Sequence, residues 1–304
     1  MRAIPITMLL KKKIPLAYIF NKVKYDLLNV LILSLLVIVI TEHYKDLFPI
    51  MPLTIPAFIG TAISILLSFK LNQSYDRWWE ARKIWGAIVN DSRSLFIQIK
   101  NLLPAGNDAA IKKIAYRQIA WCYSLGQSLR GLNALDNLKA YISAEEMEAL
   151  KNHQNKPLAL LSFHARDIKF LKEIGQLESF SQLHIDNTLT RLCDAQGKAE
   201  RIKSTVFPVT YRLFLHGIIY LFVVTLSISL EDVAGYFELP LLLVISAAFF
   251  LLEKSASYLQ DPFENRPSDT AMTAIARTIE TNIKQLLGET DVPAAPSNNS
   301  FYLL

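Results

Sequence analysis

The sequence predicts an all-α membrane protein in which two transmembrane helical hairpins bracket a cytoplasmic helical bundle. Three observations carry that expectation: four long apolar runs grouped as two pairs, basic residues on the same side of all four runs, and a long middle region that reads as helix throughout. The composition agrees. Of 304 residues, 52% are hydrophobic, the mean hydropathy is +0.26, and the charged share of 19% lies below the about 25% of a soluble domain. Such a mixture fits a membrane part joined to a water-facing part of comparable size.

The first apolar run spans Leu27 to Ile40, broken only by Asn29 and Ser34. The second spans Leu53 to Phe69 and carries no charge. The third spans Leu213 to Leu230 with His216 as its one ionisable group, and the fourth spans Leu239 to Leu252 without any. A spanning helix needs about 20 mostly apolar residues. The first and fourth runs reach that length only with their flanks, where Tyr25, Tyr44 and Tyr258 suit the membrane–water interface. The first run starts too far along the chain to read as a cleavable signal.

Charge placement tests the pairing. Lys11, Lys12, Lys13, Lys22 and Lys24 precede the first run, and Lys70, Arg77, Arg82 and Lys83 follow the second. Arg201, Lys203 and Arg212 precede the third, and Lys254 and Arg266 follow the fourth. The links inside the pairs hold Glu42, Lys45 and Asp46 in one case and Glu231, Asp232 and Glu238 in the other. The excess of Lys and Arg outside both pairs puts the two termini and the middle region in the cytoplasm. A net charge of +5 and a pI near 9.0 would raise nucleic acid as a partner for a soluble chain. Here the basic residues sit where they orient helices, so the expected partner is the lipid bilayer and not nucleic acid.

From about Gln73 to Lys203, proline and glycine are sparse, and Trp85, Ile88, Val89, Ser92 and Phe96 recur at helical spacing. Breaks are expected at Pro104 to Asp108 and at Asn152 to Pro157, and Ser143-Ala-Glu-Glu146 is a capping-box signature that opens a helix. No proline or glycine cluster stops the second spanning helix from running on to Lys100. Pro293 to Ser300 reads as a disordered tail. The expected organisation is residues 1–24 as an N-terminal cytoplasmic segment, 25–72 as the first hairpin, 73–206 as the cytoplasmic helices, 207–258 as the second hairpin and 259–304 as the C-terminal segment. Cys122 and Cys193 make neither a disulfide framework nor a metal spacing and read as buried small hydrophobes.

Two motifs sit at the membrane exits. Ser74-Tyr-Asp-Arg-Trp-Trp-Glu-Ala-Arg82 follows the second run, and Gln260-Asp-Pro-Phe-Glu-Asn265 follows the fourth. With the order of the four runs and Pro208 just before the third, this combination resembles the bestrophin family, most closely its prokaryotic branch. The resemblance spans nearly the whole chain. It implies a homopentamer around a central pore, lined at its narrow neck by the second helix of every subunit. It also implies the conduction of small inorganic ions, chloride and other anions above all. A monovalent cation channel of the same fold, or a membrane transporter or scaffold that is not a channel, are the alternatives.

Counting back from Arg77, the resemblance assigns the neck to Thr61, Ile65 and Phe69, a spacing that shares one helical face. Spacing alone would read Ile65 and Phe69 as lipid-facing or packing residues. Thr61 departs from the apolar residue the family pattern leads one to expect there, and shortens the dry segment. Gly60, Ala62, Ser64 and Ser68 on the same helix allow close approach in lipid. The resemblance places a second, cytoplasmic aperture near Phe180, where a core phenylalanine is the competing reading. Asp76, Arg77, Glu80 and Arg82 read as a structural charge cluster, with Arg77 expected to neutralise the like-charged Asp76 and Glu80. Trp78 and Trp79 suit an interfacial anchor or a subunit contact.

Animal bestrophins bind calcium on an acidic run after their Asn-Pro-Phe. Here Arg266 and Pro267 interrupt Asp261, Glu264 and Asp269, so no calcium gate, metal or cofactor is expected. An enzyme is not expected either: the chain has no glycine-rich phosphate loop, no Gly-x-Ser-x-Gly and no His-Glu-x-x-His. Its histidines, His43, His153, His164, His184 and His216, are scattered.

Overall fold

The computed structural model describes residues 14–44, 51–234 and 237–294, without the side chains of 231–234. Most of the tail read as disordered lies outside these residues, as do Lys11, Lys12, Lys13, Lys45, Asp46 and the side chains of Glu231 and Asp232. Among the described residues there is no strand. In chain order the helices are α1 (Leu16–His43), α2 (Thr54–Leu102), α3 (Asp108–Leu129), α4 (Ala144–Lys151), α5 (Lys156–Glu173), α6 (Ser179–Ser204), α7 (Val209–Ala234), α8 (Glu238–Gln260) and α9 (Met272–Leu286), with a 3-10 turn at Leu138–Ala140. They divide into two compact units: residues 14–77 with Val206–Gln260, and Trp78–Thr205 with 261–294.

The first unit is made of apolar helices. α1, α2, α7 and α8 are each long and apolar enough to cross a membrane. Helices suit that solvent because they satisfy their own backbone hydrogen bonds where lipid offers none. α1 packs on α7 and α8 through Val23, Asp26, Val30, Ser34, Val37 and Thr41, spaced by three and four residues. Its opposite face carries exposed Leu28, Ile32, Leu35, Leu36 and Val39. A helix apolar on both faces belongs in a membrane or a large core. α2 meets α7 where Gly60 comes within 3.1 Å, measured from an added Cβ, of the Phe222 ring. A side chain at Gly60 would require the Phe222 ring to give way by a few tenths of an ångström.

The second unit has the amphipathic pattern of a water-facing bundle. α3 packs on α5, α6 and α9, and α5 on α6. Trp85, Ile88, Val89 and Phe96 of α2 join this core and Ser92 is buried, as the helical spacing predicted; Leu95 and Ile99 join it too. Trp121 of α3 is fully buried and donates its indole N–H to Gln196 Oε1 at 3.2 Å, so no donor is wasted. α9 buries Met272, Ile275, Ala276, Ile279 and Ile283 on one face. On that face Glu280 accepts from the hydroxyls of Tyr123 at 2.7 Å and Tyr141 at 2.9 Å. Burial and the Glu280 charge push both phenols above their ordinary range.

The breaks fall where turn chemistry put them. α2 runs for 49 residues and stops two residues before Pro104. α5 opens with Asn155 accepting from the Leu158 N–H at 3.0 Å and with Pro157 in its first turn. It closes at Gly175, whose φ of 75° suits a left-handed helix stop. Ser143 caps α4 by accepting from the Glu146 N–H at 3.2 Å. The second half of the expected box differs, because the Glu146 carboxylate is taken by Arg117 of α3. Cys122 is buried as expected, whereas Cys193 is exposed: it lies on the outward side of α6, beyond the Leu189, Leu192 and Ala195 stripe.

Candidate functional site

The candidate site is a stripe of α2 that the apolar unit leaves uncovered. Pro56, Ile63, Leu67, Lys70 and Ser74 form the buried side of this helix. Ala57, Phe58, Thr61, Ser64, Ile65, Ser68, Phe69, Asn72, Gln73 and Asp76 form the exposed side. Ile65 and Phe69 are 52% and 61% exposed, while Ile63 and Leu67, two residues before each, are at 0% and 3%. Thr61, Ile65 and Phe69 therefore share one open face.

Two features separate this stripe from the outer face of α1. The α1 face is dominated by large aliphatic side chains, with Asn29 among them, as a surface against lipid tails should be. The α2 stripe interleaves hydroxyls with its apolar residues and then turns polar at Asn72, Gln73 and Asp76. Two of its hydroxyls are internally satisfied: Thr61 Oγ1 donates to the Ala57 carbonyl and Ser64 Oγ to the Gly60 carbonyl, both at 2.8 Å. Thr61 thus presents its methyl group and a hydroxyl whose proton is already committed.

Phe180, the residue assigned to the cytoplasmic aperture, sits in the first turn of α6 and is 83% exposed. Within its own subunit it is not a core residue. In the charge cluster, Glu80 pairs with Lys83 at 2.6 Å, three residues on.

The two sequence motifs meet in the second unit. Trp78 donates its indole N–H to the Ser268 carbonyl at 3.0 Å, tying the Arg-Trp-Trp segment to the loop after Asp-Pro-Phe. Phe263 of that loop is buried at 1% exposure. The loop closes on itself: the Thr270 N–H donates to the Pro262 carbonyl at 3.1 Å, and the Arg266 N–H to Asp269 Oδ2 at 3.0 Å. Asn265 takes a φ of 65°, which asparagine tolerates better than most residues. Trp79 stacks beside Trp78 with ring centres 6.1 Å apart. Of the acidic residues considered for calcium, Glu264 pairs with Lys203 at 2.5 Å and Asp269 serves the loop.

Burial pushes the Asp269 carboxyl up to about 6, against the pull of the Arg266 and Glu264 amides. Below its ordinary value of 3.8 the group is protonated whether the chain is folded or not. As pH rises through about 6, the folded chain must hold a buried charge, and stability is lost. Asp269→Asn keeps an acceptor and removes the charge. It is expected to stabilise the second unit by on the order of 2 kcal/mol at pH 8 and hardly at all at pH 4. The four tryptophans, Trp78, Trp79, Trp85 and Trp121, all lie in this unit, so their fluorescence follows its unfolding. An equal difference at both pH values would show that Asp269 does not titrate there.

Two charge clusters escaped the sequence reading. Lys70, read as a flank charge, is buried against Glu253 at 2.7 Å inside the apolar unit. Arg117 is fully buried and holds Glu146 and Asp167 together. The available signal was faint: a lone lysine and a lone glutamate each ending an apolar run, and an arginine in the middle of the apolar segment Ile114 to Leu125.

Comparison with known proteins follows the same outline. A family model described as Bacterial/Fungal Bestrophin protein matches residues 9–285. A voltage-dependent anion channel-forming protein of Ralstonia nicotianae is 29% identical over 273 residues, covering 89% of each chain. The voltage-dependent anion channel-forming protein YneE of Escherichia coli K12 is 29% identical over 279 residues, covering 91% of this chain and 90% of its own. The crystal structure of a bacterial bestrophin homolog from Klebsiella pneumoniae superimposes with a TM-score of 0.81 at 28% identity, covering 88% of this chain and 99% of that one.

Proposed function

The chain belongs to the bacterial and fungal bestrophin family, and from that premise we propose that it is one subunit of a pentameric, anion-conducting membrane channel. One observation carries the reading. The exposed stripe of α2 interleaves apolar side chains with the hydroxyls of Thr61, Ser64 and Ser68 and grades into Asn72, Gln73 and Asp76, a surface suited to a water-filled path more than to lipid. Five copies of Ile65 and Phe69 around an axis would form apolar rings. Such rings offer an ion no ligands and close by losing their water when narrow, then conduct when slightly wider. Thr61 sits at the outer end of this neck, and Phe180 serves as the cytoplasmic aperture. Asp76, Arg77, Glu80 and Arg82 hold the helix where it leaves the membrane.

Anions are the proposed cargo because curated relatives of nearly full length are named as anion channels. The basic flanks support an orientation with both termini in the cytoplasm. The second reading, a monovalent cation channel, is favoured by one observation: Asp76 is exposed on the same stripe, and rings of acidic side chains draw cations. Purified protein in planar bilayers under a potassium chloride gradient separates the readings. Discrete steps reversing near the chloride equilibrium potential are expected. Reversal near the potassium potential would transfer the protein to the second reading, and smooth, saturating flux would make it a carrier.

A further inference from the structure

Lys70 and Glu253 are charged side chains sealed inside the apolar unit, each 1% exposed. Lys70 Nζ donates to Glu253 Oε1 at 2.7 Å and to Ser257 Oγ at 2.9 Å. The Ser257 hydroxyl closes the ring by donating to the same Oε1 at 2.8 Å. Glu253 Oε2 faces His216 Nε2 at 3.4 Å, and the His216 ring stands edge-on to Phe250 with centroids 5.6 Å apart. Three helices, α2, α7 and α8, therefore converge on one carboxylate.

A buried ion pair is a poor way to gain stability. Desolvating two charges costs several kcal/mol per ion, and well-packed apolar residues of the same size often do as well. Ionisable residues in a membrane segment call for a functional explanation for the same reason. What a hydrogen-bonded pair adds over an apolar seam is direction. Hydrophobic contact is non-directional, so a smooth helix can turn on its axis at little cost. An ammonium held by two acceptors cannot follow such a turn without breaking bonds that lipid will not replace.

The position of Lys70 gives that direction a target. It follows Phe69 immediately, so its side chain leaves α2 about 100° around the axis from Phe69. Lys70 is on the buried side and Phe69 on the open stripe. We propose that the Lys70–Glu253–Ser257 clamp is a positioning device: it fixes the rotation of α2 about its own axis and so decides which side chains face the pore. The proposal rests on α2 being the pore helix.

The test compares the wild type with K70M/E253L, which replaces the pair by apolar residues, each with and without F69A. Oligomer size and thermal midpoint in detergent report on structure, and open probability in planar bilayers reports on the neck. The double variant is expected to assemble and melt like the wild type. Its open probability should shift by about fivefold or more, and the effect of F69A should fall to less than half, the coupling expected of neighbours acting together. A structural pair would leave both of these unmoved. Should K70M/E253L fail to assemble, S257A removes one acceptor without stranding a charge, and is expected to shift open probability by about twofold. Unchanged gating with a full F69A effect, in whichever of these variants assembles, would overturn the clamp and leave the neck standing. Absence of an F69A effect with Lys70 and Glu253 intact would remove the neck, and the clamp with it.

Discussion

Phe69→Ala is expected to raise the open probability of the channel by about tenfold, a bias of about 1.4 kcal/mol toward the wetted state, while leaving assembly intact. Phe69 is 61% exposed within its subunit, so truncation removes little packing from the apolar unit. It removes instead the bulk that narrows the proposed neck. Ile65→Ala acts in the same direction with less effect, because less side chain is lost. Thr61→Ile is expected to lengthen the proposed dry segment and lower open probability. The neighbours provide the control. Ile63 and Leu67 are buried, and truncating either to alanine costs about 2–5 kcal/mol through the cavity left behind. That loss would be read as weaker assembly and a lower thermal midpoint, with no gain of current per assembled channel. Single-channel recording with size-exclusion profiles separates the two patterns. Wild-type currents in both Phe69→Ala and Ile65→Ala would take those residues out of the pore.

The contrast between residues 63 and 65 also marks how far the sequence could be read. The fold class was legible because hydropathy over a whole spanning helix is a strong signal. The length of α2 was legible because nothing between Pro56 and Pro104 interrupts a helix. Helix starts at Ser143 and Asn155 were legible because a cap is chemistry written within four residues. Which side of α2 stays open was not: Ile63 and Ile65 are the same residue type two positions apart, and only the packing of α7 tells them apart. Lys70 was misread for a related reason. A lysine at the end of an apolar run usually marks the interface, and only the approach of Glu253, 183 residues away, turns it inward. The neck at Thr61, Ile65 and Phe69 follows from counting back from Arg77 in a family pattern, whereas spacing alone reads Ile65 and Phe69 as lipid-facing or packing residues.

Arg117→Met is expected to destabilise the second unit by about 3–5 kcal/mol, the cost of stripping one partner from a buried charge cluster. Against a typical total of about 5–15 kcal/mol for a domain, that is a large share. The Arg117 guanidinium is fully buried, reaches both oxygens of Glu146 and lies 2.6 Å from Asp167 Oδ2. Without it, only the half-exposed Lys113, at 3.7 Å from Glu146 and 2.9 Å from Asp167, and the exposed Arg166, at 3.5 Å from Asp167, remain beside the two carboxylates. Neighbouring His164 is fully buried, and that burial, the larger of the two causes that hold its imidazole well below 6.5 beside Arg117, persists in the variant and opposes its acting as a substitute cation. The pH dependence distinguishes this cause from a packing defect. Burial pushes the Asp167 carboxyl up, but Lys113 and Arg117 outweigh it and hold the group below 3.8. A depressed carboxyl contributes stability that is present above its unfolded value and lost as pH falls through the folded one. The gap between wild type and Arg117→Met, followed by tryptophan fluorescence in urea, should therefore be wide at pH 7 and narrow on acidification below 3.8. Adding Glu146→Gln and Asp167→Asn should recover much of the loss at pH 7, since the stranded charges are then gone. A gap that persists unchanged into acid, and that the neutral partners fail to repair, would make Arg117 a space-filling residue and not the centre of an ionic lock.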